Sequence, residues 1–450
     1  MAGSGEGTGP VAAPPGDLRR ALGFWGGTAI IVGTVIGSGI FRTPAEIAKV
    51  LPDPALTLGL WAVVGLISLC GALTMAELVT LLPKTGGTYV YLRAAYGDAS
   101  AFVFGWLYLL AATPAGMGSL AAAFGDLLAK LFGVPAVYLP WVGAGIIVVF
   151  TFVNLLGVRL GSAVQTVLMV VKVTALGVII AAAALLGPGK AQGSLAFTGG
   201  AGAPDLAAAV SSVIFTYNGW IYISLVAGEL NAPEKVKRII FVSIGTIIAV
   251  YLGANAAYLY MVPVAEVAKE NFVAIRVMQI LAGPAAGTVI AVCIMGSILG
   301  ALNGVLLSKT RVPYALARDG LTFSVLGRCH PRWATPYVSI LVQGAVAIGL
   351  VLWLRRFSEL TAYFVVVEWF ALIFGIAAVF VLRRRMPDAP RPYRTPGYPW
   401  VPLFFVVGTT AGLAAIIWSR ASAGNWRPVI GLGIALAGFP VYWIWRRVSK

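Results

Sequence analysis

The strongest constraint on this chain is that apolar stretches long enough to cross a bilayer follow one another almost without pause. About 20 consecutive apolar residues span the hydrocarbon core as a helix. Twelve stretches near that length can be marked, at about residues 22–50, 55–82, 99–129, 136–156, 163–186, 206–230, 239–262, 285–308, 336–354, 360–382, 400–418 and 428–445. Charged residues make up only 11% of the 450, against about 25% in soluble domains. The chain is therefore expected to be an all-α polytopic membrane protein of twelve transmembrane helices, with the lipid bilayer as its solvent.

The net charge of +16 would suggest nucleic acid in a soluble protein. Here the basic residues punctuate the spans, so no nucleic-acid partner is expected. Twelve spans put both termini on one side, and the positive-inside rule assigns the side. Lys235, Lys237 and Arg238, the cluster 309–332, and Arg383 to Arg385 with Arg391 and Arg394 all fall on the N-terminal side. That predicts a multi-pass protein of the plasma (inner) membrane with both termini cytoplasmic. Residues 1–20 are rich in Gly, Pro and Ala and end in Arg19-Arg20, without the apolar core of a signal peptide, so they read as a flexible cytoplasmic tail. Cys70, Cys293 and Cys329 lie in spans or a cytoplasmic segment, which excludes a disulfide scaffold. His330 is the only histidine, leaving little scope for a metal site or histidine general-base chemistry. No cofactor or metal is expected.

Two spans contain interruptions, the first at Gly37-Ser38-Gly39 and the sixth at Thr216-Tyr217-Asn218-Gly219. First and sixth positions each open a block of five, and five is odd, so the second block would enter from the opposite face. Discontinuous helices at corresponding places of two inverted halves mark the binding site of a secondary transporter. The expected organisation is a first repeat at 21–188, an inverted second repeat at 206–385, and helices 11 and 12 at 400–447. Backbone freed at membrane depth must be received by protein or by a polar cavity. The N–H groups of Ser38, Gly39 and Ile40 would present partial positive charge to a carboxylate. The carbonyls near Thr34 and Val35, and those from Phe215 to Asn218, would receive an ammonium group. Gly37 lets a ligand approach the backbone. Helix packing is the competing reading of 33–37 (GTVIG), a small-xxx-small pattern; the paired break in span 6 favours a site.

At these residues the chain resembles a known family. Residues 31–41 (IVGTVIGSGIF) resemble the span 1 signature of amino acid–polyamine–organocation (APC) transporters, closest to a prokaryotic homologue of the L-type amino acid transporter (LAT) branch. Three further regions agree in order: 76–91 (AELVTLLPKTGGTYVY), 215–220 (FTYNGW) with 229–234 (ELNAPE), and 311–331 ahead of Thr335-Pro336. The resemblance implies the five-plus-five inverted repeat of the LeuT-like fold, alternating access, and sodium-independent transport of amino acids, often as exchange.

Two charges resist the topology. Lys172 sits near the middle of span 5, where a central Lys costs about 2.5–3.5 kcal/mol on insertion scales. Neither span end is within reach of its side chain, so snorkelling does not account for it. The resemblance implies that its ammonium stands in for a sodium ion bracing span 1 against span 8, with Ser297 and the span 1 carbonyls as partners. Glu368 lies near the centre of span 10, where the L-type chains usually carry Asn. Three readings stay open: a proton site, a partner for Lys172 or Arg42, or a neutral hydrogen-bonded acid. Arg42 itself is expected to pair with Glu46 one turn on.

The resemblance also implies that Phe215 is an aromatic gate over the substrate, with Trp220 packing behind it, and that Asn255 lies near the substrate amine. Asn218 stands where L-type members have Gly, and Ile221 replaces an Asn of the close eukaryotic members; both departures lean toward smaller neutral amino acids. The segment 130–135 (KLFGVP) lacks the Cys by which animal light chains link to a heavy chain, so no disulfide-linked partner is expected. The leading expectation is a neutral L-amino acid exchanger. A proton-coupled symporter and an amino acid sensor are the alternatives; the sequence carries no soluble signalling segment to favour the sensor. No nucleophile–base pair or metal-ligand set at membrane depth supports an enzyme, and no filter motif supports a channel.

Overall fold

A computed structural model describes residues 18–199, 205–354, 357–422, 424 and 427–448. Most of the tail expected at 1–20 lies outside the described residues. The first span is broken as its glycines predict. Helix α1 (Phe24–Val35) ends where Ile36 leaves helical geometry at φ −76°, ψ 82°, and α2 (Gly39–Val50) begins after Ser38. Helix α3 (Pro54–Leu81) starts with Pro at its first turn, and the Asp53 carboxylate accepts from the Leu56 N–H at 2.9 Å, the N-cap chemistry expected of Asp. A short amphipathic helix, α4 (Thr88–Tyr96), precedes a long rod made of α5 (Asp98–Leu107), a π-helical turn at Tyr108–Ala112, and α6 (Thr113–Phe132).

Helices α7 (Leu139–Leu155) and α8 (Val158–Leu186) follow. The sixth expected span is broken into α9 (Leu206–Thr216) and α10 (Tyr222–Leu225), with a 3-10 turn at Ala227–Glu229. After α11 (Val236–Met261), two short helices, α12 (Val264–Val267) and α13 (Val273–Ala282), lead into α14 (Pro284–Lys309). Helix α15 (Arg311–Arg318) runs on almost directly from α14. The chain closes with α16 (Tyr337–Leu354), α17 (Phe357–Arg385), α18 (Trp400–Ser422) and α19 (Arg427–Val448). Among the described residues nine helical stretches are long and apolar enough to cross a membrane. Of the other three expected spans, the sixth is interrupted, and α16 and α19 lie where the ninth and twelfth were marked.

Burial separates inner from outer helices. The stretches Phe24–Val50 and Asp98–Phe132 are 83% buried in their apolar windows, whereas Ala136–Leu155 is 28% buried and Val158–Leu186 33%. On α8 the buried residues Gly161, Gln165, Met169, Lys172, Leu176, Ile179 and Ala183 recur at three- and four-residue intervals, while Val167, Val170 and Val178 are exposed. That spacing is one face of a helix. Lys172 belongs to the inward face. A ladder of buried amides fastens this face: Gln165 Nε2 donates to Ala29 O on α1 at 3.2 Å, and Asn303 Nδ2 on α14 donates to Gln165 Oε1 at 3.0 Å. Where the chain enters α1, Leu22 pairs with Leu230 beyond α10, so the start of the first broken helix is tied to the end of the second.

Candidate functional site

The two breaks meet. Gly219 (φ +125°) packs so closely on the first break that a Cβ there would sit 3.1 Å from Val35 N, and that φ is one that side chains other than Gly rarely adopt. A Cβ on Gly39 would lie 2.7 Å from Thr216 Oγ1. Beside this contact is a cavity of about 50 Å³. The first break lines it with Thr34, Val35, Gly37, Ser38 and Gly39, and the second with Phe215, Thr216 and Asn218. Gly116, Ser119 and Leu120 of α6, Ala301 and Val305 of α14, and Tyr222 close the remaining walls. N–H groups at a helix start have no partner within their helix, and of the residues at the start of α2, Ser38 and Gly39 border the cavity.

Four residues expected at the substrate do not line this cavity. Ile40 is fully buried elsewhere, Gly219 serves the contact between breaks, and the Tyr217 hydroxyl donates away from the cavity to Trp61 O on α3 at 3.2 Å. Asn255 donates to Tyr251 O on its own helix at 2.8 Å, as a residue four positions further along can. The group that reaches the breaks from α11 is Tyr251. Its hydroxyl lies 2.8 Å from Val35 O and 3.1 Å from Thr216 O, bridging carbonyls of both breaks. Two carbonyls expected to be free for an ammonium thus already have a protein donor. Nothing in the apolar run around Tyr251 distinguishes it in sequence, except that it shares a helix face with Asn255.

Lys172 is fully buried. Its Nζ donates to Gly33 O at 2.7 Å, Ile36 O at 2.6 Å and Ser297 O at 2.8 Å. Ser297 Oγ also reaches Ile36 O at 3.1 Å and Gly37 O at 3.3 Å. One ammonium therefore caps the carbonyl end of α1 and ties it to α14. Cations are favoured at helix C-termini, and charge-assisted hydrogen bonds are the stronger kind.

Glu368 pairs with neither Lys172 nor Arg42. Its Oε2 accepts from Lys309 Nζ at 2.8 Å and its Oε1 from the Tyr108 hydroxyl at 2.9 Å, with both charged side chains wholly buried. The ammonium also lies 4.8 Å from the Tyr108 ring centroid and 4.9 Å from that of Tyr222. Tyr108 opens the π-helical turn, an element found often at functional sites. The sequence groups Lys309 with the basic cluster 309–332, but it is the last residue of α14 and wholly buried. Arg311 of the same cluster is also internal, gripping Glu229 with two hydrogen bonds of 2.8 and 3.0 Å. Arg42 takes Asp126 at 2.9 Å rather than Glu46, which pairs with Lys49. Phe215 borders the cavity half-buried, and Trp220 packs edge-on against Phe405 of α18.

The family model for amino acid permeases matches residues 22–439. The chain belongs to the amino acid permease family, within the APC superfamily. It is a multi-pass membrane protein of a transporter family. The permease is similar to the serine/threonine exchanger SteT of Bacillus subtilis (strain 168), with 32% identity over 443 residues covering 95% of this chain and 97% of that protein. It is 30% identical to the human large neutral amino acids transporter small subunit 2 over 469 residues, covering 99% of this chain and 84% of the relative. The human cystine/glutamate transporter is 28% identical over 443 residues, at 96% and 87% coverage.

Proposed function

We propose that this permease exchanges small neutral L-amino acids across the plasma (inner) membrane, without sodium, by alternating access. In this reading the chain crosses the membrane twelve times, as an inverted five-plus-five repeat at 21–188 and 206–385 followed by helices 11 and 12, with both termini cytoplasmic. The broken helices at positions one and six support that repeat. The substrate carboxylate is received by the N–H groups of Ser38 and Gly39, which border the cavity at the start of α2, whose dipole favours an anion. Its ammonium goes to the carbonyls of Thr34 and of the stretch from Phe215 to Asn218, apart from that of Thr216, which Tyr251 already holds; Phe215 covers it. Small walls at Gly116, Ala301 and Val305 favour a short side chain, in keeping with the serine/threonine exchange named for the Bacillus relative. The protein works without a disulfide-linked heavy chain and is not an enzyme.

The single observation that carries the sodium-independent reading is the Lys172 ammonium on Gly33 O, Ile36 O and Ser297 O. A cation built into the chain occupies the place where α1 and α14 need one, so no bound ion has to be recruited. The test is uptake of labelled alanine into proteoliposomes, empty or loaded with amino acid, with and without sodium and pH gradients. Uptake only into loaded vesicles, indifferent to both gradients, is the expected result. Uptake into empty vesicles driven by an inside-alkaline gradient overturns exchange in favour of proton symport.

A further inference from the structure

Asn218 is held from behind by a buried chain of contacts and bare in front. Its side chain borders the cavity with the residue only 8% exposed. The Tyr222 hydroxyl donates to its Oδ1 at 3.2 Å, which leaves the amide N–H groups as the free end. The Tyr222 ring in turn rests on the Lys309 ammonium, and Lys309 is fixed by Glu368. Asn218 Nδ2 has no hydrogen-bond partner among the described residues. A buried donor left unmade is costly, and three of the residues that share the cavity with it, Gly116, Ala301 and Val305, carry no acceptor side chain.

We propose that the Asn218 amide donates a hydrogen bond to the side-chain oxygen of the bound amino acid, so that the site selects hydroxyl-bearing substrates of serine and threonine size over alkyl side chains of the same shape. The inference rests on the exchanger reading and specifies its substrate class. Asn218 is then a specificity residue and Tyr222 the positioning residue that aims it. A site built to bond a substrate hydroxyl discriminates strongly against the isostere that lacks it, because its own polar group is stranded.

The experiment compares isosteric pairs in proteoliposomes preloaded with alanine: serine against 2-aminobutyrate, and threonine against valine, each as kcat/KM. The wild-type protein is expected to favour the hydroxyl member of each pair by about tenfold, the scale of one well-made hydrogen bond. Asn218→Gly is expected to bring both ratios within about twofold of one, and Tyr222→Phe to lower them to roughly threefold while keeping the ring on Lys309. A wild-type ratio near one, or an undiminished ratio in Asn218→Gly, overturns the inference. Should Asn218→Gly fail to fold, the wild-type ratios with Tyr222→Phe decide the matter. Wild-type protein that exchanges no labelled alanine overturns the exchanger reading instead; thermal stabilisation of the purified protein by serine over 2-aminobutyrate then tests the amide alone, and equal stabilisation overturns it.

Discussion

Lys172 and Lys309 are both fully buried, yet they are neutralised in opposite ways. Lys172 meets three backbone carbonyls and no carboxylate, at the end of a half-helix whose dipole already favours a positive charge. Lys309 closes the last turn of α14 and meets a carboxylate from α17 and two aromatic faces rather than a set of bare carbonyls. The first lysine depends on a break in a helix. The second depends on a partner charge from another helix. Removing a buried cation therefore has a different remedy in each place, and substitutions can separate them.

Lys172→Ala should have the largest effect. It removes three charge-assisted hydrogen bonds joining α1 to α14, each worth about 1.5–3 kcal/mol, so exchange should fall at least about twentyfold. Any residual uptake should gain sodium dependence; full uptake indifferent to sodium in the same vesicles would break the proposed role. No second-site neutralisation should rescue Lys172→Met, because among the described residues no acidic side chain balances it.

Glu368→Gln should act mainly on stability. It strands the Lys309 charge, a change that costs about 3–5 kcal/mol at buried pairs, seen as a lower Tm in detergent. Lys309→Met combined with Glu368→Gln should recover most of that loss. If the double variant is as unstable as the single one, the contrast between the two lysines fails. Tyr108→Phe keeps the ring under the ammonium and loses only the hydroxyl bond to Glu368, an expected cost of about 1 kcal/mol by the same measurement. Smallest of all is Arg42→Ala. Its partner Asp126 is nearly half exposed at 45%, and pairs of that kind contribute about 0–1 kcal/mol. A stability loss above that range would show Arg42 to be more than a surface contact.

The two lysines also mark how far the sequence could be read. Lys172 stood out because it interrupts an apolar run with no span end in reach. Lys309 did not, because it lies at a span boundary beside Arg311 and Arg318, where topology alone explains a positive charge. Glu368 was visible as an anomaly, but its partner was not: a separation of 59 residues across two helices leaves no periodic trace. The glycines at 37, 39 and 219 announced the breaks, since backbone conformation and close approach are properties of single residues. Tyr251 gave no such notice. Its hydroxyl matters only because folding brings the carbonyls of Val35 and Thr216 together beside it.

What the sequence determined by itself was local and one-dimensional. Long apolar runs dictate helices in a bilayer, and Gly, Pro and polar interruptions dictate where those helices stop. What only the tertiary structure decided was pairing: which carboxylate neutralises Lys309, which hydroxyl bridges the breaks, and which of the break residues face the cavity. Helix formation depends on neighbours within a turn, whereas a buried charge or amide is settled by groups that the chain brings together from distant helices.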